Sequence, residues 1–147
     1  MAADCVFCKI ASGQAQAYTI YEDKCVLVFL DLFPANPGHC LIITKRHSDD
    51  IFSVEPADIA AVAQLSVPLA RAIDSVTGCG GLGVHQLNRA AAGQTVFHYH
   101  MHLIPQSSGA GLSIHGRVMG DEAELATMAK ALTAALQREL KTGGVRQ

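Results

Sequence analysis

The chain has 147 residues, of which 50% are hydrophobic, and its formal net charge is −2. This length and composition predict one compact domain with a substantial core. A weakly acidic chain has no general electrostatic reason to bind nucleic acid. The N-terminal residues lack the pattern of a secretion signal, and no apolar run reaches the ~18 residues of a membrane span. Five cysteines, an odd number, fit a reducing compartment. We therefore expect a cytoplasmic protein without a membrane or nucleic-acid partner.

The elements expected along the chain alternate between strands and helices. Residues 25–32 and 39–44 are apolar, β-branched runs typical of buried strands. Apolar residues then recur every three or four positions between Ser53, a candidate N-cap, and Gly78, which predicts a long helix. Residues 82–88 and 95–104 resemble a second strand pair, and 121–140 a final helix before a loose tail, 141–147. The sum is an α+β fold with an antiparallel sheet and two main helices, in a single domain covering residues 1–147.

The stretch VFHYHMH, residues 96–102, has a histidine at every second position. In a strand, alternate side chains share a face and lie roughly 7 Å apart at the backbone, so His98, His100 and His102 would line one surface. Three rings spread that far cannot easily close around one metal ion. Two alternatives stay open: core imidazoles satisfied by hydrogen bonds, and a catalytic zinc held by two adjacent histidines.

The segment HYHMHLI resembles the signature of the histidine triad (HIT) family of nucleotide hydrolases and transferases, and GQTV stands directly before it as in that family. The segments CVFCKI, VFLDLFPANPGH and CLIITKRH are also similar to family segments, so the resemblance spans most of residues 4–106. It implies a half-barrel-like antiparallel sheet with helices. It also implies a homodimer that binds a purine nucleotide at the sheet.

The resemblance implies roles for the residues around the phosphate. His100 would attack the α-phosphorus and form a nucleotidyl-histidine intermediate, which water resolves. His102 and His39 would surround the phosphate as donors, and one of them could protonate the leaving group. Hydrogen bonds to the phosphoryl oxygens would come from the GQTV segment, namely Gly93, Gln94, Thr95 and Val96.

The nucleoside pocket is also implied by resemblance. Phe7, Ile10, Leu30 and Leu32 would sandwich the purine, and Asp31 would accept hydrogen bonds from both ribose hydroxyls. Many family members have Asn or Gln eleven residues before the first triad histidine, where this chain has Leu87 followed by Asn88. A one-residue slip reverses the face that a strand side chain meets, so Asn88 replaces that residue only if a bulge restores the register.

Cys5 and Cys8 have the spacing that lets two thiolates reach one metal ion. The same spacing serves redox chemistry, but that motif belongs at a strand-to-helix step of a βαβ unit, which nothing near these residues suggests. The resemblance implies a structural zinc held by Cys5, Cys8, His47 and His98. Four protein ligands would fill a tetrahedral ion and leave no open position.

Together these features predict an enzyme that cleaves a bond to the α-phosphate of a purine nucleotide through His100, with AMP or GMP as one product. A phosphoramidate or acylated nucleotide is the first substrate type expected, and a dinucleoside polyphosphate the next. The rival hypotheses are a catalytic-zinc hydrolase and a nucleotide-binding module without catalysis.

Overall fold

The computed structural model describes residues 4–107 and 117–143. Within these residues, three helices and five strands follow one another. They are α1 (Val6–Ala11), β1 (Thr19–Glu22), β2 (Val26–Leu30), β3 (Cys40–Thr44), α2 (Pro56–Thr77), β4 (Gly81–His85), β5 (His100–Gln106) and α3 (Glu122–Gly143). A 3-10 turn at Ala90–Ala92 joins β4 to the segment before β5.

The strands form one sheet in the order β1-β2-β3-β5-β4, and every neighbouring pair is antiparallel. One face of this sheet is covered by α2 and α3, which pack against each other and close the main core. Residues at the centre of that core include Val28, Ile42, Leu69, Leu103 and Leu132, all fully buried. The predicted α+β fold with an antiparallel sheet is therefore confirmed.

The opposite face of the sheet holds a second apolar cluster, made by Phe7, Leu27, Phe29, Leu41 and Ile43. Partners that stand opposite in an antiparallel pair share a face. Because His102 is paired with Leu41 and His100 with Ile43, both imidazoles lie on this second face. Helix α1 supplies Phe7 to the same cluster, so the N-terminal arm lies beside the histidines.

Several element boundaries differ from the predicted ones. The long helix is capped by Glu55 rather than Ser53, with Pro56 in its first turn and Gly78 closing it in the left-handed conformation. The strand predicted over 82–88 ends at His85, and the final helix extends through the first residues of the predicted tail to Gly143. Residues 144–147 of that tail lie outside the described part of the chain.

The strand that carries the triad starts later than predicted, at His100 instead of residue 95. The expectation that three histidines share one strand face is therefore wrong for His98, which lies before the strand. The backbone N–H of Tyr99 donates to Ser48 O, and the ring of His98 is fully buried. Thus only His100 and His102 have the geometry that the alternation predicts.

Helix α2 carries apolar residues on its exposed side as well as on its buried face. It is the one helix in the described chain that is long and apolar enough to span a membrane, with a mean hydropathy of 1.3 over its most apolar window. Val62, Leu69 and Ile73 pack in the core, whereas Val67 is 51% exposed. Packing against the sheet accounts for only part of this apolar character.

Candidate active site and metal centre

His100 is held with one ring nitrogen against the main chain. Its Nδ1 lies 2.6 Å from the carbonyl oxygen of His98. Because a carbonyl only accepts hydrogen bonds, Nδ1 carries the proton and the lone pair of the neutral ring is on Nε2. Burial lowers the pKa of His100, so the ring is neutral at physiological pH. A neutral ring with its lone pair on Nε2 is the form of histidine that can act as a nucleophile.

His39 and His102 form a hydrogen-bonded pair beside His100. The backbone N–H of Ala35 donates to Nδ1 of His39 at 3.0 Å, so the proton of the neutral His39 ring is on Nε2. That Nε2–H donates to Nδ1 of His102 at 2.9 Å, which leaves the His102 proton on its own Nε2. The ring centroids of His102 and His100 are 5.0 Å apart. His102 therefore offers an N–H donor next to His100.

Burial keeps this histidine pair neutral. It lowers the pKa of His39 to about 4 and that of His102 to about 3. The positive charge of Arg117 and the neighbouring imidazoles act in the same direction on both rings, while the carboxylate of Asp31 raises the pKa of His39. In the free protein, His102 is thus a neutral hydrogen-bond donor.

Asp31 lies beside the histidine pair at the end of β2. Its Oδ1 accepts the backbone N–H of Phe33 at 2.9 Å. Its Oδ2 is 3.1 Å from Nη1 of Arg117 and 3.5 Å from Nε2 of His39. Arg117 is a site residue that the sequence reasoning missed. It lies outside every motif, and only the fold brings it to Asp31.

The buried side chain of Gln94 serves the loops rather than the site. Its Nε2 donates to Asp49 O at 2.6 Å and to Val96 O at 3.0 Å, while its Oε1 accepts the backbone N–H of Arg89 at 2.6 Å. The expectation that this amide faces a phosphoryl oxygen is therefore wrong, because its polar atoms are bonded inside the protein. Gly93 precedes it at φ 102°, a conformation that favours glycine. Thr95 is exposed, and Val96 packs partly against the second apolar cluster.

Leu30 does not lie where the resemblance placed it, whereas the predicted pocket role of Leu32 stays a prediction. Leu30 is buried in the main core beneath α2 and α3, and Leu32 packs partly against the same core. Because successive strand residues alternate between faces, Phe29 instead shares the histidine face, where its ring meets that of Phe7 at 5.5 Å. Ile10 is partly buried against this same cluster.

Asn88 is occupied by contacts within the loops. Its Oδ1 accepts the backbone N–H of Ile51 and the side-chain N–H of Gln86, both at 2.7 Å, and its own amide donates to Gln86 Oε1 at 2.8 Å. The amide therefore ties the segment after β4 to the loop before α2. Asn88 therefore has a structural role in these loops, and its contact with a nucleotide stays a prediction.

Cys5, Cys8, His47 and His98 converge on one point. Their four ligand atoms lie within 4.8 Å of one another. His98 donates its Nε2–H to Thr44 O, and His47 donates its Nε2–H to Asp49 Oδ1 at 2.8 Å. Both Nδ1 atoms are therefore unprotonated, yet they face each other at 3.3 Å. Two imidazole nitrogens and two thiols gathered this closely form a donor set that could hold a metal ion.

The distances in this cluster suit a tetrahedral zinc ion. Nδ1 of His98 is 3.3 Å from Cys5 Sγ and 3.5 Å from Cys8 Sγ, and Nδ1 of His47 is 3.3 Å from Cys8 Sγ. Bonds of about 2.0–2.1 Å to nitrogen and about 2.3 Å to sulfur place neighbouring ligands ~3.3–3.8 Å apart. The carbonyl and carboxylate partners that orient the two rings are the supporting contacts usual at such sites.

Asp31, His39 and His102 form a second convergent group. The ring nitrogens of the two histidines that face this group are not both free to bind a metal, because Nε2 of His39 carries a proton. A metal ligand at Nε2 of His39 would need the ring proton on Nδ1. Instead, Nδ1 of His39 accepts from Ala35 N–H and from Arg117 Nη1, each within 3.1 Å. This group therefore fits hydrogen-bond donation and not a catalytic zinc.

The described site combines a buried neutral histidine, His100, a hydrogen-bonded histidine pair and a Cys/His cluster that could hold a metal ion. The HIT domain model matches residues 12–109, and the chain belongs to the histidine triad family. The adenylylsulfatase HINT3 of Arabidopsis thaliana is 40% identical over 103 residues, which cover 70% of this chain and 52% of that protein.

Solved structures from two bacteria support the same assignment. A Zn-bound histidine triad family protein from Mycobacterium smegmatis has a TM-score of 0.84 and 36% identity, covering 95% of this chain and 97% of that one. A Hit-like protein from Bartonella henselae has a TM-score of 0.86 and 30% identity, covering 92% of this chain and 98% of that one.

Proposed function

We propose that this protein cleaves a bond to the α-phosphate of a purine nucleotide through a nucleotidyl intermediate on His100. One observation carries the proposal: Nδ1 of His100 donates to the main chain, so the lone pair on Nε2 is available beside the N–H of His102. Asp31 would accept hydrogen bonds from the ribose hydroxyls, and Phe7, Phe29 and Ile10 would form the apolar wall against the base.

The reaction would proceed in two displacements. Nε2 of His100 attacks phosphorus, the bond to the leaving group breaks with its electron pair on the leaving atom, and that atom takes a proton from solvent. The Nε2–H of His102 and backbone N–H groups near Thr95 and Val96 stabilise the phosphoryl oxygens. Water then attacks phosphorus and loses a proton, the bond to His100 breaks, and AMP or GMP leaves.

A substrate with a phosphoramidate or acyl-type group on the α-phosphate fits this chemistry best. The name of the Arabidopsis relative, adenylylsulfatase, describes cleavage of an adenylyl group from sulfate, which is a mixed-anhydride bond to such a phosphate. No step of this route requires a metal at the reacting phosphorus.

Zinc would have a structural role in this protein. Cys5, Cys8, His47 and His98 would fill all four positions of a tetrahedral ion, which ties α1 to the sheet. When bound, the ion contributes folding free energy instead of reactivity.

We also propose that the protein is a homodimer in the cytoplasm. The exposed apolar side of α2, which includes Val67, offers a surface that a second copy could cover. The five cysteines all lie in the described residues and form no disulfide there, which suits a reducing compartment.

The decisive experiment is mass spectrometry of protein exposed briefly to an adenosine phosphoramidate and quenched in conditions that preserve the adduct. We expect a peptide containing His100 to gain the mass of an adenylyl group. His100→Asn should abolish both the adduct and turnover while AMP binding persists, because the asparagine keeps a polar side chain but lacks the nucleophile.

Binding of AMP by the wild-type protein without any adduct or turnover would identify a nucleotide-binding module. Turnover that survives His100→Asn but is lost on metal removal would identify a catalytic-zinc hydrolase.

A further inference from the structure

Arg117 contacts two residues of the proposed site, the carboxylate of Asp31 and the ring of His39. Its Nη1 is 3.1 Å from Oδ2 of Asp31 and 3.1 Å from Nδ1 of His39. The side chains of Arg117 and Asp31 are only 19% and 12% exposed, so the ion pair is largely shielded from water. One guanidinium nitrogen thus links the carboxylate to the inner member of the histidine pair.

We propose that Arg117 is a positioning residue that fixes the direction of the hydrogen bond from His39 to His102. This inference rests on the proposed function, in which the Nε2–H of His102 faces the phosphate. Arg117 cannot lose its proton or accept a hydrogen bond, so its contact requires an unprotonated Nδ1 on His39. Together with the Ala35 N–H, it places the His39 proton on Nε2, and that proton in turn fixes the His102 proton on Nε2.

The contact between Arg117 and Asp31 also favours the hydrogen bond from His39 to His102. Nε2 of His39 lies 2.9 Å from Nδ1 of His102 but also 3.5 Å from Oδ2 of Asp31. A shielded carboxylate without a cation is a stronger acceptor than an imidazole nitrogen. If Arg117 were absent, the His39 N–H would turn to Asp31, and Nδ1 of His102 would lose its donor. Arg117 neutralises Asp31 and so leaves that N–H for His102.

The carboxylate retains room for the ribose. An ionised carboxylate has about four acceptor positions. Phe33 N–H occupies one position on Oδ1 and Arg117 occupies one on Oδ2. The two remaining positions equal the number of ribose hydroxyls, so Arg117 can stay in place when a nucleotide binds.

The test compares Arg117→Met and Arg117→Lys with the wild-type, zinc-loaded full chain. Arg138→Met, which removes an exposed arginine of α3, is the matched charge control. Two-bond ¹H–¹⁵N correlation spectra of the imidazoles report which ring nitrogen of His102 carries the proton. Initial rates with an adenosine phosphoramidate report kcat and KM separately.

We expect the wild type, Arg138→Met and Arg117→Lys to keep the His102 proton on Nε2. In Arg117→Met the proton should redistribute toward Nδ1. Complete loss of one preorganised donor costs about 100- to 1,000-fold in kcat, and a partial redistribution should lower kcat by about 10- to 100-fold. If Arg117→Met does not fold, Arg117→Gln, which lacks the charge, takes its place with the same expectation. The proposal is overturned if Arg117→Met or Arg117→Gln leaves the His102 tautomer unchanged. It is also overturned if the tautomer changes in either variant while kcat stays the same. If the wild type itself shows no turnover, the proposed function fails, but the spectra still decide the role of Arg117.

Discussion

His98, His100 and His39 each have one ring nitrogen bonded to the main chain, and this contact determines what the other ring nitrogen can do. Thr44 O directs His98 toward the metal centre, His98 O frees the lone pair of His100, and the Ala35 N–H fixes the proton of the His39 ring. The motif and its resemblance predicted which residues would be involved. They could not predict the proton positions, because the deciding partners are main-chain atoms, which any residue type supplies.

Arg89 is held in a strained backbone conformation in the connection between β4 and β5. Its φ of 73° and ψ of 157° lie in a region that is nearly restricted to glycine. The backbone N–H of Arg89 donates to Gln94, and its guanidinium lies 4.0 Å from the centroid of the Phe52 ring. We expect Arg89→Gly to be more stable than Arg89→Ala by about 1–2 kcal/mol, because only glycine relieves the strain. Urea denaturation of both variants measures the difference.

A helical position supplies the control for this comparison. Gln137 is exposed within α3, where glycine should be less stable than alanine by about 1 kcal/mol. The two positions should therefore give opposite signs. The same sign at both would show that the backbone at Arg89 is not strained.

At the scale of elements, α1 depends on its attachments. A helix of six residues is too short to be stable alone. Cys5 caps it and Cys8 lies within it, so a bound ion would fix both ends of its first turn to the sheet. Phe7, between the two cysteines, packs edge-on against the ring of His100 at 5.1 Å between centroids. The Cys/His cluster and the proposed base pocket therefore share one helix.

Loss of the metal should weaken nucleotide binding. We expect Cys8→Ser, or chelation of the wild type, to lower AMP affinity about 10-fold, because Phe7 and Ile10 lose their support, in line with the 10- to 100-fold effects of ligand-supporting contacts. Titration calorimetry measures the affinity, and elemental analysis the zinc content. Cys25→Ser, at an exposed cysteine, should change neither quantity. Unchanged AMP affinity in zinc-free protein would contradict the coupling.

The elements that could be predicted are those whose sequence pattern is set by burial. The runs that became β2, β3, α2 and α3 are long or continuously apolar, so their periodicity identified them. Strand β1 has four residues and α1 has six, too few for a period to emerge. The start of β5 was misplaced because the alternation of histidines continues through His98, although the hydrogen bond from Tyr99 N–H to Ser48 O diverts the chain there.

At the scale of the whole molecule, the buried histidines make stability depend on pH. The folded-state pKa of His39 is about 4 and that of His102 about 3, both below the ordinary 6.5. The unfolded chain therefore binds protons first as the pH falls, and the folded state loses stability from pH 6.5 downward until these rings are protonated. We expect metal-free protein to show a free energy of unfolding that decreases from pH 6.5 to 4.

A variant isolates the contribution of one ring. His102→Asn removes one of the groups that only the unfolded chain protonates in this range. The decrease between pH 6.5 and 4, measured by urea denaturation, should therefore be shallower in the variant. Equal slopes in the two proteins would show that His102 is not held neutral by burial.

Assembly is the second property of the whole molecule. If a second copy covers α2, Val67→Glu would place a charge in an apolar interface, at a cost of several kcal/mol. We expect sedimentation velocity to show a dimer for the wild type and a monomer for Val67→Glu. Gln137→Glu, on the exposed side of α3, should remain dimeric. A wild type that sediments as a monomer at every concentration would refute the proposed dimer.

His98 serves two centres with two chemically independent groups. Its imidazole belongs to the metal cluster, whereas its carbonyl oxygen holds the proton of His100. A different amino acid at this position would remove the imidazole but keep the oxygen, which is common to all residues. Replacement of this histidine would therefore remove one ligand of the proposed ion and leave the acceptor that orients His100 in place.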